Sequence, residues 1–227
     1  MKIVILTGAG ISAESGLGTF RDEGGLWARY RIEDVATPDA FDRDPALVHE
    51  FYNMRRTEAA RAVSNAAHRA LVMLQQSPAH EVFIVTQNVD GLHEAVGAEV
   101  LHMHGALDRA KCAACGHRWS APLVMRPEDP CPACTAPATR PDIVWFGEFP
   151  EGMEEFEAFL RRADLFVAIG TSGEVYPAAG FVAEAARLGV RTLELNLAPS
   201  SGASIFDEVR LGPATETVPA WVAEVLG

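Results

Sequence analysis

Four cysteines have the most specific chemical spacing in the chain. They form two pairs, Cys112-x-x-Cys115 and Cys131-x-x-Cys134, with 15 residues between the pairs. Each pair supplies two thiolates from one tight turn, and four thiolates complete a tetrahedral zinc site with no position for water. Redox disulfides are the weaker alternative, because the chain lacks a secretory signal. We therefore expect one structural Zn²⁺ that folds a zinc ribbon, with His117 outside a complete ligand set.

A glycine-rich turn follows the first apolar run of the sequence. Residues 3–6 pass directly into Thr7-Gly8-Ala9-Gly10-Ile11-Ser12-Ala13-Glu14-Ser15-Gly16. Glycines after a strand let the backbone approach a diphosphate, and the helix that follows offers free N–H groups. Gly8, Gly10 and Ala13 fit the looser G-x-G-x-x-G/A pattern, although such a turn is also an ordinary structural device. The stretch favours a nucleotide-phosphate site.

The loop after this turn argues against a simple dehydrogenase. A dehydrogenase would continue into a second strand that ends in an acidic residue about 20 positions on, to hold the adenine ribose. The chain instead has a polar, glycine-punctuated loop over residues 18–27. Long loops of this kind in a compact domain are usually lids or binding loops.

Later apolar runs also end in polar residues. Residues 82–85 pass into Thr86-Gln87-Asn88-Val89-Asp90, and residues 165–169 pass into Gly170-Thr171-Ser172. Residues 100–105 and 192–196 are two more short apolar runs that end in polar or glycine residues. Open α/β sheets bind ligands at the carboxyl ends of their strands, so these residues are expected to share one site.

The alternation of strands and helices predicts an α/β fold with a doubly wound parallel sheet, in which residues 2–6 form a central strand. Helices are expected over residues 65–76, with Ser64 as the cap, and over residues 177–188. Pro219 suits the first turn of a closing helix. Residues 28–63 are expected to form short helices with Pro38 and Pro45 as breakers. We expect a large part (residues 1–27, 64–108 and 141–227) and a small part (residues 28–63 and 109–140).

Composition excludes several classes of partner. The chain has 227 residues, 48% hydrophobic and 22% charged, with a formal net charge of −12. No basic run is present, so a nucleic-acid surface is not expected. No apolar segment approaches the roughly 20 residues of a membrane span. The sequence predicts a cytoplasmic protein, and we expect a monomer.

Taken together, these motifs resemble the sirtuin family of NAD-dependent protein-lysine deacylases. The matching stretches fall in family order and cover nearly the whole chain: Gly8-Ala9-Gly10-Ile11-Ser12, Phe20-Arg21-Asp22, Gln87-Asn88-Val89-Asp90, His104-Gly105, the four cysteines, Val144-Trp145-Phe146-Gly147-Glu148, Gly170-Thr171-Ser172 and Asn196.

The resemblance implies a Rossmann-like large part, and acyl-lysine entering the cleft between it and the small part. It implies substrate contacts from the loop that holds Val144, Phe146, Gly147 and Glu148. It also implies NAD contacts from Gly8, Ala9, Gly10, Ile11, Ser12, Glu14, Phe20, Arg21, Asp22, Trp27, Gln87, Asn88, Val89, Asp90, His104, Gly170, Thr171, Ser172, Asn196, Leu197, Ala198 and Ala214.

Tyr52 and Arg55 narrow the class of acyl group. They lie three positions apart, hence on one face if the segment is helical, and a guanidinium beside a hydroxyl suits a carboxylate. The alternative is a solvated helix face, since Arg56 and Arg61 lie nearby. In the sirtuin branch that removes succinyl and malonyl groups, a Tyr-x-x-Arg pair at this position binds the acid end of the acyl chain, and this sequence resembles that branch.

His104 is the candidate general base, because imidazole titrates near neutral pH. His93 is its rival; His49, His68 and His80 are expected to be helix or surface residues, and His102 a strand neighbour that faces away. The resemblance implies that the acyl oxygen attacks the ribose as nicotinamide leaves, and that His104 then deprotonates a ribose hydroxyl. Asn88 and Asp90 would orient the nicotinamide amide and a water, and O-acyl-ADP-ribose would be released.

Two other functions fit the same fold. A mono-ADP-ribosyltransferase would modify a side chain and leave a labelled protein. A non-catalytic module would hold NAD or ADP-ribose, but such a module needs no base, and His104 with Asn88 and Asp90 argues against it.

Overall fold

The computed structural model describes residues 1–18 and 30–227. Over these residues the strands are β1 (Lys2–Thr7), β2 (Glu81–Thr86), β3 (Val100–His102), β4 (Gly105–Cys112), β5 (Arg118–Ser120), β6 (Thr139–Ile143), β7 (Leu165–Ile169), β8 (Arg191–Asn196) and β9 (Glu208–Leu211). The helices are α1 (Gly10–Ala13), α2 (Ile32–Val35), α3 (Pro38–Arg43), α4 (Pro45–Ala59), α5 (Ala66–Gln75), α6 (Met153–Leu160), α7 (Phe181–Arg187) and α8 (Ala214–Leu226). Single 3₁₀ turns lie at Glu94–Val96, Ala178–Gly180 and Ala203–Ile205.

A parallel sheet organises the larger part of the described chain. Its strand order is β3-β2-β1-β7-β8-β9, so β1 lies inside the sheet with β2 and β7 as parallel neighbours. Ile3 and Ile5 pack on one face with Leu71 of α5 and Trp221 of α8. The alternate residues of β1 pack on the opposite face against helices α6 and α7. Burial on both faces confirms the predicted doubly wound sheet.

The second sheet is small and antiparallel, with the order β5-β4-β6. A third apolar cluster joins it to helices α2 to α4, and includes Phe51, Leu107 and Trp145. Gly105 begins β4 with φ of 76°, and a Cβ atom there would overlap the carbonyl oxygen of Asp142. Only glycine tolerates both the positive φ and this approach, so Gly105 fixes how the chain leaves His104.

Several element boundaries differ from the sequence-based expectations. Pro38 and Pro45 begin helices α3 and α4 instead of breaking them, because proline suits the first helical turn, where no N–H is needed. Asn65, and not Ser64, caps α5, and it forms a capping box with His68. Pro219 lies inside α8, beyond its first turn. The run predicted over residues 100–105 ends at His102.

Two further differences lie in the last third of the chain. The predicted helix over residues 177–188 is a 3₁₀ turn followed by α7. The edge strand β9 was not predicted, because its sequence, Glu-Val-Arg-Leu, is half polar and short.

Over the ranges 1–18 and 30–227, no helix has both the length and the apolar character needed to cross a bilayer.

Candidate functional site

Two glycine loops meet at the carboxyl edge of the sheet, where β1 and β7 end. The Gly8 N–H donates to the carbonyl oxygen of Ile169 at 2.9 Å, and the Gly10 N–H donates to that of Gly170 at 2.9 Å. A Cβ atom on Gly10 would come within 2.6 Å of the Gly170 Cα atom. The close approach therefore requires glycine, and it lies at the carboxyl edge of the sheet, where folds of this kind bind a diphosphate.

A hydroxyl bridges the two polar residues that follow β2. The Asn88 side-chain N–H₂ donates to the Gly8 carbonyl oxygen and to Ser12 Oγ, each at 3.1 Å. Ser12 Oγ in turn donates to Asp90 Oδ2 at 3.1 Å, and the Leu92 N–H donates to the other carboxylate oxygen. Burial raises the pKa of Asp90, although these hydrogen bonds oppose the shift. Asn88 and Asp90 are thus held rigidly beside the glycine turn.

His104 lies at the start of the small sheet with its ring directed by the backbone. Its Nδ1 atom lies 3.1 Å from the carbonyl oxygen of Gln87. Because a carbonyl oxygen only accepts, Nδ1 carries the hydrogen and Nε2 keeps a lone pair in the neutral ring. Burial lowers the pKa of His104 below 6.5. The imidazole is therefore neutral at pH 7 and able to take up a proton.

The other histidines near the site are committed to different partners. His93, the rival base, is fully buried with Nε2 3.1 Å from Thr7 Oγ1, and burial lowers its pKa to about 3. His68, which packs edge-on against it, has a pKa lowered by burial to about 4. His49 and His68 lie on helices as predicted, but both are buried. A ring held neutral at such a low pKa is a poor proton acceptor at pH 7.

His102, at the end of β3, pairs with Glu94 and with the backbone of Asn88. Its Nδ1 donates to the Asn88 carbonyl oxygen at 2.9 Å, and Nε2 lies 2.5 Å from Glu94 Oε1. Both ring nitrogens face acceptors, and the bonds to Glu94 raise the pKa of His102 despite its burial. This role of His102 was not predicted; the alternation His102-x-His104 and an acidic residue eight positions earlier were the available signals in the sequence.

The remaining predicted nucleotide contacts lie at the ends of neighbouring strands. Asn196, at the end of β8, donates to the Thr171 carbonyl oxygen at 2.7 Å and to Glu194 Oε1 at 3.0 Å. The Glu14 carboxylate accepts two hydrogen bonds from Thr215, one from the hydroxyl at 2.7 Å and one from the main-chain N–H at 3.0 Å. These bonds connect the end of α1 to the start of α8. The structure thus brings together the ends of β2, β1, β7 and β8: Gly8, Ala9, Gly10, Ile11, Ser12, Gln87, Asn88, Val89, Asp90, Gly170, Thr171, Ser172, Asn196, Leu197 and Ala198, with Ala214 at the start of α8.

Some predictions lie outside the described residues: those for Phe20, Arg21, Asp22 and Trp27 fall in the range 19–29.

Glu194 was not predicted as a residue that supports the site. It is fully buried in β8, where its carboxylate accepts from Asn196 and from the Ser200 N–H. An acidic residue between two leucines in a strand was the signal that could have found it.

Tyr52 and Arg55 lie on the same helix, α4, with Tyr52 almost fully buried. The Trp145 indole N–H donates to the Tyr52 hydroxyl oxygen at 3.1 Å. Burial raises the pKa of Tyr52 to about 12, so the phenol keeps its hydrogen. Arg55 is half-buried; burial lowers the pKa of its guanidinium, and Tyr52 and Asp90 oppose that shift. The pair thus presents a hydroxyl and a cation on one side of α4.

The four cysteines form a compact cluster in the small part. Their sulfur atoms lie within 4.8 Å of one another, with Cys112 to Cys134 at 3.6 Å and Cys115 to Cys131 at 3.8 Å. Zinc–sulfur bonds of about 2.3 Å in a tetrahedron require sulfur atoms about 3.8 Å apart. Disulfides would need about 2.0 Å, and all four thiols are free. The thiolates are therefore placed to hold one structural Zn²⁺ in a closed shell.

Comparison with known families agrees with this geometry. The family model described as "SIR2: Sir2 family" matches residues 8–177, which contain the glycine turn, His104 and all four cysteines.

The chain belongs to the Sir2 family. It is 54% identical over 231 residues to an NAD-dependent protein deacylase of Caulobacter vibrioides, covering 100% of this chain and 97% of that one. It is 51% identical over 229 residues to an NAD-dependent protein deacylase of Escherichia coli K12, covering 99% of this chain and 82% of that one.

Solved Sir2 structures share the whole fold. A Sir2 homologue in complex with NAD matches with a TM-score of 0.89 and 35% identity, over 99% of this chain and 89% of that one. A mutant Sir2 homologue in complex with ADP-ribose matches with a TM-score of 0.92 and 35% identity, over 99% and 92% of the two chains. The Rossmann-like Sir2 architecture with its cysteine cluster is therefore confirmed.

Proposed function

We propose that this Sir2 protein removes succinyl and malonyl groups, in addition to acetyl groups, from protein lysines. The protein is an NAD-dependent protein deacylase, as are the bacterial relatives that share about half of its residues over the full chain. Its products would be nicotinamide, free lysine and O-acyl-ADP-ribose. A cytoplasmic location and a monomeric state stay predictions.

The strand-end residues are proposed to hold NAD, whose ribose carbon is the electrophile of the reaction. The diphosphate would lie against the glycine turn that contains Gly8 and Gly10, and Asn196 would face the adenosine end. Asn88 and Asp90, fixed through Ser12, would orient the nicotinamide end. Because these groups are held before the ligand arrives, positioning supplies much of the rate.

His104 is proposed as the general base. Its Nδ1 hydrogen is committed to the Gln87 carbonyl oxygen, so Nε2 is the atom that accepts a proton from a ribose hydroxyl. The Val144 N–H donates to the His104 carbonyl oxygen at 2.9 Å, which places the loop of Val144, Phe146, Gly147 and Glu148 beside the base. This loop is proposed to hold the lysine-bearing chain. A Zn²⁺ held by all four cysteines would have no open position for water and would take no part in the chemistry.

One observation supports the preference for acidic acyl groups. The Tyr52 hydroxyl oxygen accepts a hydrogen bond from Trp145, so its own hydrogen is directed away from the indole and can be donated to a carboxylate. Arg55, three residues further along α4, adds a positive charge on the same side. Hydroxyl and guanidinium together match the acid end of a succinyl or malonyl chain.

An Arg55→Met variant tests this proposal on paired succinyl- and acetyl-lysine peptides. A hydrogen bond to a charged group contributes about 1.5–3 kcal/mol, so kcat/KM for the succinyl peptide should fall about 10- to 100-fold. The acetyl peptide should change by less than about threefold, since it presents no charge to Arg55.

Arg61→Met is the matched control, because Arg61 is exposed beyond the end of α4. Mass spectrometry of the product should find O-acyl-ADP-ribose, and not a modified acceptor protein. Equal losses on the two peptides would remove the carboxylate clamp while leaving the deacylase assignment intact.

A further inference from the structure

Trp145 connects the acyl-binding helix to the substrate loop. Its indole N–H donates to the hydroxyl oxygen of Tyr52, and the two side chains are 2% and 1% exposed. The residues lie 93 positions apart in the chain. Water has little access to this pair, so the indole determines which lone pair of the phenol oxygen is occupied.

Three contacts hold Trp145 in place, two on the ring and one on the main chain. The Arg140 guanidinium carbon lies 3.6 Å from the centre of the ring, and Phe41 packs against it with a centroid distance of 5.2 Å. The main-chain N–H of Trp145 donates to Glu148 Oε2 at 2.9 Å. A large ring held in this way has a single orientation, so its N–H points in a single direction.

An ion pair holds this arrangement in place. Arg140 donates two hydrogen bonds of 2.9 Å to the two carboxylate oxygens of Glu148, and a third to the carbonyl oxygen of Ile143. The Arg140 side chain is 12% exposed and that of Glu148 is 29% exposed. Two-point pairing between partly buried groups fixes geometry as well as charge. Glu148, predicted as a substrate contact, thus has both carboxylate oxygens bonded within the protein.

The consequence for Tyr52 is directional. When the phenol oxygen accepts from the indole, the hydroxyl hydrogen turns away from it, and the phenol becomes a stronger donor because successive hydrogen bonds polarise one another. Without the indole N–H, the hydroxyl is free to rotate, and a buried oxygen loses its donor.

We infer that Trp145, held by Arg140 and Glu148, is a specificity-determining residue that orients the Tyr52 hydroxyl toward the carboxylate of an acidic acyl group. The inference rests on the proposed function, since Trp145 would position a residue of the same acyl-binding site. Trp145 does not need to touch the acyl chain; it acts through the phenol.

The test is a double-mutant cycle with Trp145→Phe, Tyr52→Phe and the double variant, each assayed on matched succinyl and acetyl peptides. Trp145→Phe keeps an aromatic ring under Arg140 but removes the N–H. Loss of a neutral hydrogen bond corresponds to a fall of about three- to tenfold in succinyl kcat/KM. The acetyl value should stay within about twofold. In the Tyr52→Phe background, Trp145→Phe should cause no further change in the succinyl-to-acetyl ratio.

Matched variants separate an effect on orientation from an effect on folding. The succinyl-to-acetyl ratio is insensitive to the fraction of folded protein, and Trp119→Phe, in the small sheet, controls for loss of an indole elsewhere. If Trp145→Phe does not fold, Arg140→Lys gives the same test with the indole intact, and a smaller fall in the ratio is expected.

The outcomes distinguish the inference from the function on which it rests. Selective loss in Arg55→Met with an unchanged ratio in Trp145→Phe overturns the inference alone. A ratio that falls further in the double variant than in Tyr52→Phe shows that Trp145 does not act through the phenol, and also overturns it. Equal loss on both peptides in Arg55→Met and Tyr52→Phe overturns the proposed function, and the inference with it.

Discussion

The proposed NAD site at the strand ends and the proposed acyl side of the small part hold their polar groups by different means. At the strand ends, Asn88 and His104 bond to main-chain carbonyl oxygens whose positions the parallel sheet fixes. On the acyl side, Tyr52 and Trp145 bond to each other across a helix and a loop. Groups fixed by the backbone serve every substrate, whereas a chain of side-chain contacts can change selectivity without changing the chemistry. The expected effects of substitution therefore differ in kind.

Removing the base should give the largest effect, and it should be equal on all substrates. In His104→Ala, His93 cannot replace the base, because burial lowers its pKa to about 3, which makes it a weak proton acceptor, and its ring is bonded to Thr7. General-base catalysis contributes about 10²- to 10⁴-fold, so kcat should fall by about that factor on acetyl and succinyl peptides alike.

Zinc content and the unfolding midpoint of His104→Ala should match those of the unaltered protein, which shows that the fold is intact. Turnover close to that of the unaltered protein, or loss on one peptide only, would contradict the division between shared chemistry and separate acyl selection.

Loss of the metal should give the next largest effect, and it should fall on the small part first. Cys131 is buried in the cysteine cluster, and the nearby part of the chain in sequence has little regular structure: β5 is three residues long and has no buried side chain. Cys131→Ser should therefore bind less than one equivalent of zinc, as measured by elemental analysis. The small part should also become less stable by several kcal/mol, because the free energy of zinc binding contributes to folding.

Activity on the two peptides should fall together in Cys131→Ser, and added zinc should restore part of it. A chelator applied to the unaltered protein provides the matched comparison. An unfolding midpoint that neither the substitution nor the chelator moves would contradict a structural role for the metal.

The smallest effect should be a shift along the pH axis. Burial lowers the pKa of His104 from its ordinary value of 6.5, and the neutral ring is the proposed active form. Activity should therefore persist as the pH falls toward 6.5 and should be lost through a midpoint below that value. A profile of kcat/KM against pH on both peptides checks this, and a midpoint above 6.5, or different midpoints for the two peptides, would speak against His104 as the shared base.

The sequence carried enough information for the strand-end site, because that site is built from local patterns. The apolar runs, the glycines after β1 and the cysteine spacing each lie within a few residues, and the fold they predicted is confirmed. The helix boundaries at Pro38 and Pro45 were predicted wrongly, because a proline can end one helix or begin the next with the same local sequence.

Contacts between distant residues could not be predicted in this way. The hydrogen bond from Trp145 to Tyr52 spans 93 residues, and the ion pair of His102 with Glu94 depends on how a 3₁₀ turn packs against β3. Neither leaves a periodic signal in the sequence. Strand β9 was missed for a related reason, since it joins the sheet at its edge, where apolar alternation is not required.

The position of β1 inside the sheet also has a consequence for how the protein is made. Strand β1 pairs Ile3 with Leu165 of β7, and Glu14 accepts a hydrogen bond from Thr215 at the start of α8, so both partners are made much later than β1. Until those late residues emerge, one edge of an apolar strand has no partner. Such long-range pairing slows folding and exposes unpaired strand edges to aggregation, so the glycine turn after β1, the proposed nucleotide site, cannot be completed before β7 and α8 have been made.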